Sequence, residues 1–334
     1  MVLPAARHLE GGESVHLLLA ESADRLLFLM PVSVGRGLRS MALPALTSWT
    51  HDYCFLGTPL LSAHHDPDQS WTAITSELPR AVSTPLLVLP LHSGDGPVAA
   101  ALRRVDAQRG LGLRQSPTAY RGFVRRRPEP TYATEWITRR HLANLARRRR
   151  RLGQTLDGEI GTVDRAAVDL GRALEEFLHL EASGWKGRTG TAFLCRPGHD
   201  RFFRELSQGF AEQGRLMFLS LQVGTRVLAQ STALIGGRGL FGFKKAYDEA
   251  FARWSPGSLL DLDVLTWFHE MRRLDWLDTC SSPDDAAGGQ LFGDRRAICT
   301  LLLPLNPAGR AAAAMISTGL RAHRYLRRSE GRST

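Results

Sequence analysis

The strongest constraint on the fold lies in the second half of the chain. Leu216–Val223, Val227–Ile235 and Leu240–Tyr247 are three strand-like apolar runs, separated only by the short turns Gly224–Arg226 and Gly236–Gly239. Links this short join antiparallel neighbours, because a parallel return needs a dozen residues or more. The three runs therefore predict an antiparallel meander. A linker, Asp248–Trp254, leads to Ser255-Pro256-Gly257-Ser258. A helix is expected next, with Leu260, Val264, Leu265, Trp267, Phe268 and Met271 on its apolar face, and then a strand at Leu274–Cys280.

The start of that helix is a candidate anion site. A helix N-terminus presents free N–H groups and the positive end of a dipole. Pro256 suits the first helical position, and Gly257 permits close approach of a ligand. Against this, Ser258 and Asp261 read as a capping box that satisfies the same N–H groups. Asp261 and Asp263 also bring negative charge, which Lys244, Lys245 and Arg253 can offset.

Before the meander, Asp164 is placed to cap a helix reaching about Ser183, with Leu170, Leu174, Phe177 and Leu178 as its buried stripe. The period continues that stripe through Glu181 and Trp185. A carboxylate on a core-facing stripe must be paired or must line a cleft. Another helix is expected over Pro197–Gln213. After the Ser281–Asp294 loop come a strand at Ala297–Leu303 and a basic helix from about Ala308 to Arg328.

The first half opens as a hairpin, Val15–Ala20 with Arg25–Pro31. It continues with strand-like pieces at Cys54–Leu56 and Leu86–Leu91 and a helix over Val98–Arg109 capped by Asp95. Thr138–Leu152 is a strongly basic helix candidate with a thin seam of Leu142, Leu145 and Leu152. Its run Arg147–Arg151 reads either as a phosphate or nucleic-acid patch or as a solvated connecting helix. No stacking aromatics interleave the arginines, which favours the second.

At 334 residues and 43% hydrophobic, the chain is long enough for about two domains with real cores. Its net charge of +10 admits phosphate-bearing ligands, nucleic acid or an anionic surface without choosing among them. The basic residues are skewed: 40 of 43 are arginine, and the lysines are Lys186, Lys244 and Lys245. Cys54, Cys195, Cys280 and Cys299 have no zinc-ligand spacing and read as free thiols. No signal peptide and no apolar run of membrane-spanning length is visible, which predicts a cytoplasmic protein without a membrane span.

Several motifs fall away. Gly237-Arg238-Gly239-Leu240-Phe241-Gly242 matches a dinucleotide fingerprint literally, but a strand follows it where a helix is required. There is no nucleophile elbow, metalloprotease helix or P-loop. His64-His65-Asp66 with Asp68 reads as a polar loop, so no metal is expected.

Three segments resemble a known family. Leu180-Glu181-Ala182-Ser183-Gly184-Trp185-Lys186-Gly187-Arg188-Thr189-Gly190-Thr191-Ala192 is similar to the LExxxWKGxxGTA segment of CelD-like, cellulose-biosynthesis-type GNAT acetyltransferases. Lys245-Ala246-Tyr247-Asp248-Glu249-Ala250-Phe251-Ala252-Arg253-Trp254-Ser255-Pro256-Gly257 resembles their KxxYDExFxxxSPG. Asp278-Thr279-Cys280 with Arg295-Arg296 resembles their closing D-[ST]-C … R-R. The matches fall in order over roughly Asp164–Leu303. Two departures stand out: the phosphate loop is only Arg253-Trp254-Ser255-Pro256-Gly257-Ser258, and Pro283-Asp284-Asp285 replaces a PDH that relatives commonly carry.

The resemblance implies an α/β fold of two tandem GNAT-like (acyl-CoA N-acyltransferase) domains, akin to Fem-type peptidyltransferases, with mixed, mostly antiparallel sheets flanked by helices. Residues 1–153 would be a degenerate N-terminal domain ending in the Arg-rich helix, and 154–334 the acetyltransferase domain. It implies acetyl-CoA as donor and an amine of a sugar, polysaccharide precursor or peptide as acceptor, with no DNA partner. Lys245, Arg253, Ser255, Gly257 and Ser258 would hold the donor, and Trp185 and Lys186 would shape the acceptor pocket. Glu181, Asp248 and Asp278 are the candidate bases, and Tyr247 the candidate acid for the leaving sulfur. Trp185 has the alternative of a core anchor, and Asp278 that of a buried tie to Arg295. A Fem-type transferase using aminoacyl-tRNA and a non-catalytic scaffold are the alternative functions.

Overall fold

The computed structural model describes residues 1–22, 25–36, 44–282 and 291–330. The first part of the chain contributes α1 (Val2–His8), β1 (His16–Ser22), β2 (Arg25–Arg36), β3 (Pro44–Ser48), β4 (Leu60–Leu61), α2 (Pro67–Ala81), β5 (Leu86–Ser93), α3 (Pro97–Arg109), β6 (Arg114–Gln115) and β7 (Ala119–Arg125). Then follow α4 (Tyr132–Trp136), α5 (Arg139–Thr155), β8 (Gly161–Asp164), α6 (Leu170–Ser183), α7 (Trp185–Arg188) and α8 (His199–Glu212). The last part holds β9 (Leu216–Val223), β10 (Arg226–Gly236), β11 (Gly239–Tyr247), α9 (Pro256–Glu270), β12 (Trp276–Asp278), β13 (Asp294–Pro304) and α10 (Pro307–Glu330).

Two compact units result, one of Leu3–Glu10 with Arg121–Arg295, the other of Gly11–Tyr120 with Arg296–Thr334. Each draws on both sides of residue 153, because the strand that closes each sheet comes from the other half of the chain. In the first unit the strand order is β7-β12-β11-β10-β9-β8. In the second it is β1-β2-β3-β5-β13, with β4 on β2 and β6 on β13. Each sheet holds one parallel pair joined through a helix: β11 with β12 through α9, and β3 with β5 through α2. The expected meander β9-β10-β11 is antiparallel.

Strand alternation builds two cores on the first unit's sheet. Met217, Leu219 and Leu221 join Leu260, Leu265 and Phe268 of α9 and Leu145 and Leu152 of α5. Phe218, one residue out of that register, meets Phe177 of α6 edge-on, and Phe177 packs on Phe203 of α8. The basic helix is thus a packed element rather than a solvated connector. Thr138 caps it by accepting from the His141 amide. In the second unit Phe28, Trp71, Leu87, Leu102 and Leu301 are buried together.

Three local expectations fail for identifiable reasons. Cys54–Leu56 forms no strand; β3 and β4 take the places beside β2 instead. Asp95 does not cap α3, which starts at Pro97 behind Gly96; the Asp95 carboxylate accepts from Ser93 Oγ instead. Asp164 ends β8, where its carboxylate accepts from the Ala166 and Phe218 amides and from Trp267 Nε1, so α6 begins six residues later at Leu170. Among the described residues no helix is long and apolar enough to cross a membrane, and no cluster suits a metal ion. Asp66 caps α2, and Asp68 pairs with Arg104.

Candidate functional site

The site is organised by a defect in β11. Thr232 of β10 pairs with Lys244, but Ala233 pairs with Gly242, so Phe243 is an extra residue, a β-bulge. A bulge breaks strict alternation and re-aims the neighbouring side chain. Phe243 packs on Phe193, Phe202 and Phe203, and Lys244 Nζ lies 4.8 Å above the Phe193 ring, on the same face. Lys245 then points to the other face, where its ammonium meets both carboxylate oxygens of Asp261 in α9 at 2.8 and 2.6 Å.

On the α6 face Glu181 is the centre. Its side chain is fully buried. Lys186 Nζ donates to Oε1 at 3.0 Å, and Lys244 Nζ lies 3.6 Å from the same oxygen. The Phe193 amide donates to Oε2 at 2.9 Å. Lys186 also donates to the Lys245 carbonyl at 2.9 Å. Glu181 is therefore paired and buried, as its place on the stripe predicts. Burial pushes the Lys244 ammonium down to about 8; Glu181 opposes that push, and Lys186 and Arg196 add to it.

The segment that follows is held by the same neighbourhood. Gly184 ends α6, and α7 starts afresh at Trp185. Trp185 consequently leaves the buried stripe and stands half-exposed, neither on the core face nor a core anchor. Gly187 is required by contact: a Cβ there would lie 1.7 Å from the Ala182 carbonyl oxygen. Glu249 accepts from the Trp185 amide at 2.7 Å and pairs with Arg188 at 2.8 Å. That pairing holds the Glu249 carboxyl below its usual range, through Arg188 first and the Trp185 amide second. Asp248 caps the turn after β11 by accepting from the Ala250 amide at 3.0 Å.

Beyond the turn, the α9 N-terminus differs from its sequence expectation. Ser255, in the left-handed region at φ 53°, is the cap residue; Pro256 opens the helix, and no side chain caps it. The Ser258–Asp261 capping box does not form, because the Asp261 carboxylate is drawn to Lys245. Arg148 of α5 donates to Ser255 Oγ, and Arg149 binds Asp263 at 2.8 Å. The charge of Asp261 and Asp263 is thereby matched by Lys245 and Arg149. Arg253 stacks on the Trp254 ring at 4.9 Å. Gly257 lies beside Tyr247 at ordinary contact distance: a Cβ on it would stand 3.6 Å from Tyr247 Cδ1.

The ladder between the two parallel strands that bracket α9 is short. β12 pairs with β11 only at Gly239–Phe241, while β11 runs on to Tyr247. Cys280, two residues past the end of β12, adopts φ 51°. Asp278 is no part of an open cleft. It is fully buried against Arg121, with Nε 2.7 Å from Oδ1 and Nη2 2.7 Å from Oδ2, and the Cys280 amide donates to Oδ1. The tie is to Arg121; Arg295 donates to the Phe292 carbonyl. Pro283-Asp284-Asp285 lies outside the described residues.

Sequence reading brought Glu181, Lys186, Lys245, Tyr247 and the α9 start to one neighbourhood. It gave Lys244 no role beyond offsetting charge and missed Arg121, Arg148 and Glu249. The signal for Lys244 was present: adjacent strand residues face opposite ways unless a bulge intervenes, and both were lysines in a chain of arginines.

Comparisons with known proteins bear on the fold. Residues 139–285 match the family model described as acetyltransferase (GNAT) domain. The structure of L-PGS from Bacillus licheniformis superposes with a TM-score of 0.55 at 10% identity, covering 92% of this chain and 90% of that one. The structure of FemX superposes with a TM-score of 0.54 at 9% identity, covering 91% of this chain and 93% of that one. No curated protein sequence matches significantly. The fold is the mixed α/β GNAT-like fold, and residues 139–285 are similar to a GNAT acetyltransferase domain.

Proposed function

We propose that the protein is an acyl-CoA-dependent N-acyltransferase, with acetyl as the acyl group and an amine of a sugar, polysaccharide precursor or peptide as acceptor. The short ladder between β11 and β12, beside an uncapped α9 N-terminus, carries this reading. Strand edges beyond the end of a ladder leave backbone groups for the amides of a pantetheine arm. The first turn of α9, at Ser255, Gly257 and Ser258, would take the pyrophosphate. Tyr247, ending β11 beside Gly257, is assigned to the departing sulfur. Trp185 and Lys186, on the α6 side, are assigned to the acceptor. Asp248 and Asp278 hold structure, one as a cap and one as a buried ion pair.

A tRNA-borne donor is the second reading, since Arg150 and Arg151 stand on the helix that carries Arg148, with Arg151 exposed. FemX and L-PGS, similar in fold alone, keep that reading open. Thermal unfolding with acetyl-CoA, CoA and tRNA in separate samples tests both. Stabilisation by either coenzyme form and none by tRNA is expected. A ligand at a hundredfold excess over its dissociation constant adds about 2.7 kcal/mol. Stabilisation by tRNA alone would transfer the site to the second reading, and stabilisation by none of the three would favour a scaffold.

A further inference from the structure

We propose that Lys244, turned onto the α6 face by the Phe243 bulge, is the group that takes the proton from the acceptor amine, with Glu181 and Lys186 as its positioning pair. This rests on the N-acyltransferase reading and adds to it the identity of the base.

Four observations converge on Lys244. The first concerns residue type. Of the 43 basic residues, 40 are arginine, yet all three lysines stand in this one neighbourhood. Lys186 and Lys244 share one oxygen of Glu181, and Lys245 holds Asp261. A guanidinium supplies charge and hydrogen bonds as well as an ammonium does, but it does not release its proton in a protein. Lysine persisting here, in a chain that uses arginine nearly everywhere else, fits a need for a nitrogen that can be neutral.

The second observation is geometric. Without the bulge, alternation would send Lys244 toward α9. The extra residue directs it to Glu181 instead, where Lys186 would already suffice to neutralise one carboxylate. A second lysine at that oxygen sets two ammonium groups against one carboxylate oxygen.

The third is that Glu181 is unsuited to the task itself. Lys186 and the Phe193 amide already occupy its two oxygens. With both oxygens engaged and its side chain fully buried, it is out of reach of an acceptor amine.

The fourth is electrostatic. Among the described residues, the charged groups acting on Lys244 include Glu181 from α6, Lys186 from α7 and Arg196 beyond it. Burial outweighs Glu181, and the ammonium is pushed down to about 8, near the operating range of a general base. Its side chain keeps 15% exposure, enough for proton exchange with an acceptor.

Neutral Lys244 takes one proton from the acceptor ammonium. The freed lone pair forms the C–N bond at the thioester carbonyl while the C–S bond breaks. The departing thiolate takes a proton from Tyr247, which regains one from solvent; the second amine proton leaves to solvent, and Lys244 returns its own proton there.

The experiment uses the whole protein labelled with 13C at the lysine ε carbon. Three lysines give three signals, assigned by single Lys→Arg variants. The Lys244 signal is expected to titrate with a midpoint near pH 8. In Glu181→Gln that midpoint should fall further, because the carboxylate helps to hold the proton. A Lys244 midpoint above 10 overturns the proposal. In a transfer assay with acetyl-CoA and a panel of sugar and peptide amines, read as released thiol, Lys244→Arg should lose at least 100-fold in rate. Its thermal stabilisation by acetyl-CoA should stay unchanged. Parent-like transfer by Lys244→Arg would show that charge alone suffices and would overturn it. A midpoint near 8 in a parent protein that acetyl-CoA does not stabilise supports the proton site and overturns the donor reading instead.

Discussion

Arg121 and Asp278 face each other through two contacts of 2.7 Å, and both side chains are buried. Arg121 lies on β7 and Asp278 on β12, which pair antiparallel with Asp278 opposite Phe123. The pair therefore fastens the strand that closes the first unit's sheet to the strand that pairs briefly with β11. Removing one partner takes two charge-assisted bonds from the other where it is buried.

Either Arg121→Met or Asp278→Asn should accordingly destabilise the protein by about 3–5 kcal/mol. The double change Arg121→Met with Asp278→Leu should recover most of that loss, because it removes both buried charges together. Urea unfolding followed by tryptophan fluorescence measures all three. Single variants within about 1 kcal/mol of the parent would show that the pair is not buried as described.

The α9 N-terminus offers a cleaner test of the donor site. Ser258→Glu places a carboxylate in the first turn, where the helix dipole favours it by about 0.3–1 kcal/mol. The same charge repels a pyrophosphate. The variant should unfold at or slightly above the parent's temperature and lose the stabilisation by CoA. If CoA stabilises it as well as the parent, the phosphates bind elsewhere.

Which parts of this were legible beforehand follows from the range of the forces involved. The meander, the basic helix and the buried place of Glu181 rest on local periodicity and short turns, which a sequence displays directly. The Asp261 carboxylate illustrates the opposite case. Locally it completes a capping box with Ser258, but Lys245, 16 residues away, makes a closer and doubly bonded partner, and the cap is lost. Trp185 was misplaced because one glycine, Gly184, ends the helix whose period put it in the core. The exchange of closing strands was invisible for the same reason: β7 and β13 satisfy any sheet edge locally, and only the tertiary pairing decides which.

Gly187 carries a steric requirement that makes a direct prediction. Any side chain there meets the Ala182 carbonyl, which is backbone and has little freedom to move. Gly187→Ala should therefore cost about 1–3 kcal/mol. It should also loosen Lys186, one residue away, from Glu181. Thermal unfolding reads the first effect. The second should appear in the lysine titration as a displaced Lys186 signal. A variant as stable as the parent, with all three lysine signals unmoved, would refute the contact.

His92 supplies a pH dependence independent of the candidate site. It lies fully buried on β5 of the second unit. Its Nδ1 sits 2.9 Å from the Ser93 carbonyl, and Nε2 has no hydrogen-bond partner among the described residues. Burial is the main cause that pushes the imidazole down to about 4; Arg103 adds to it, and the Ser93 carbonyl opposes it. The folded ring is thus neutral at pH values where the unfolded ring, near 6.5, takes up a proton. Stability rises with pH wherever the unfolded state binds more protons. The contribution of His92 is therefore complete above about pH 6.5 and is lost as pH falls toward 4, by roughly 3 kcal/mol in all and about 2 kcal/mol by pH 5. Asparagine keeps a donor for the Ser93 carbonyl and does not titrate. His92→Asn should be less stable than the parent at pH 7.5, through lost packing, but the gap should narrow by about 2 kcal/mol at pH 5. Urea midpoints of both proteins at the two pH values decide it, and a gap that stays constant would mean that His92 carries its proton in the folded state.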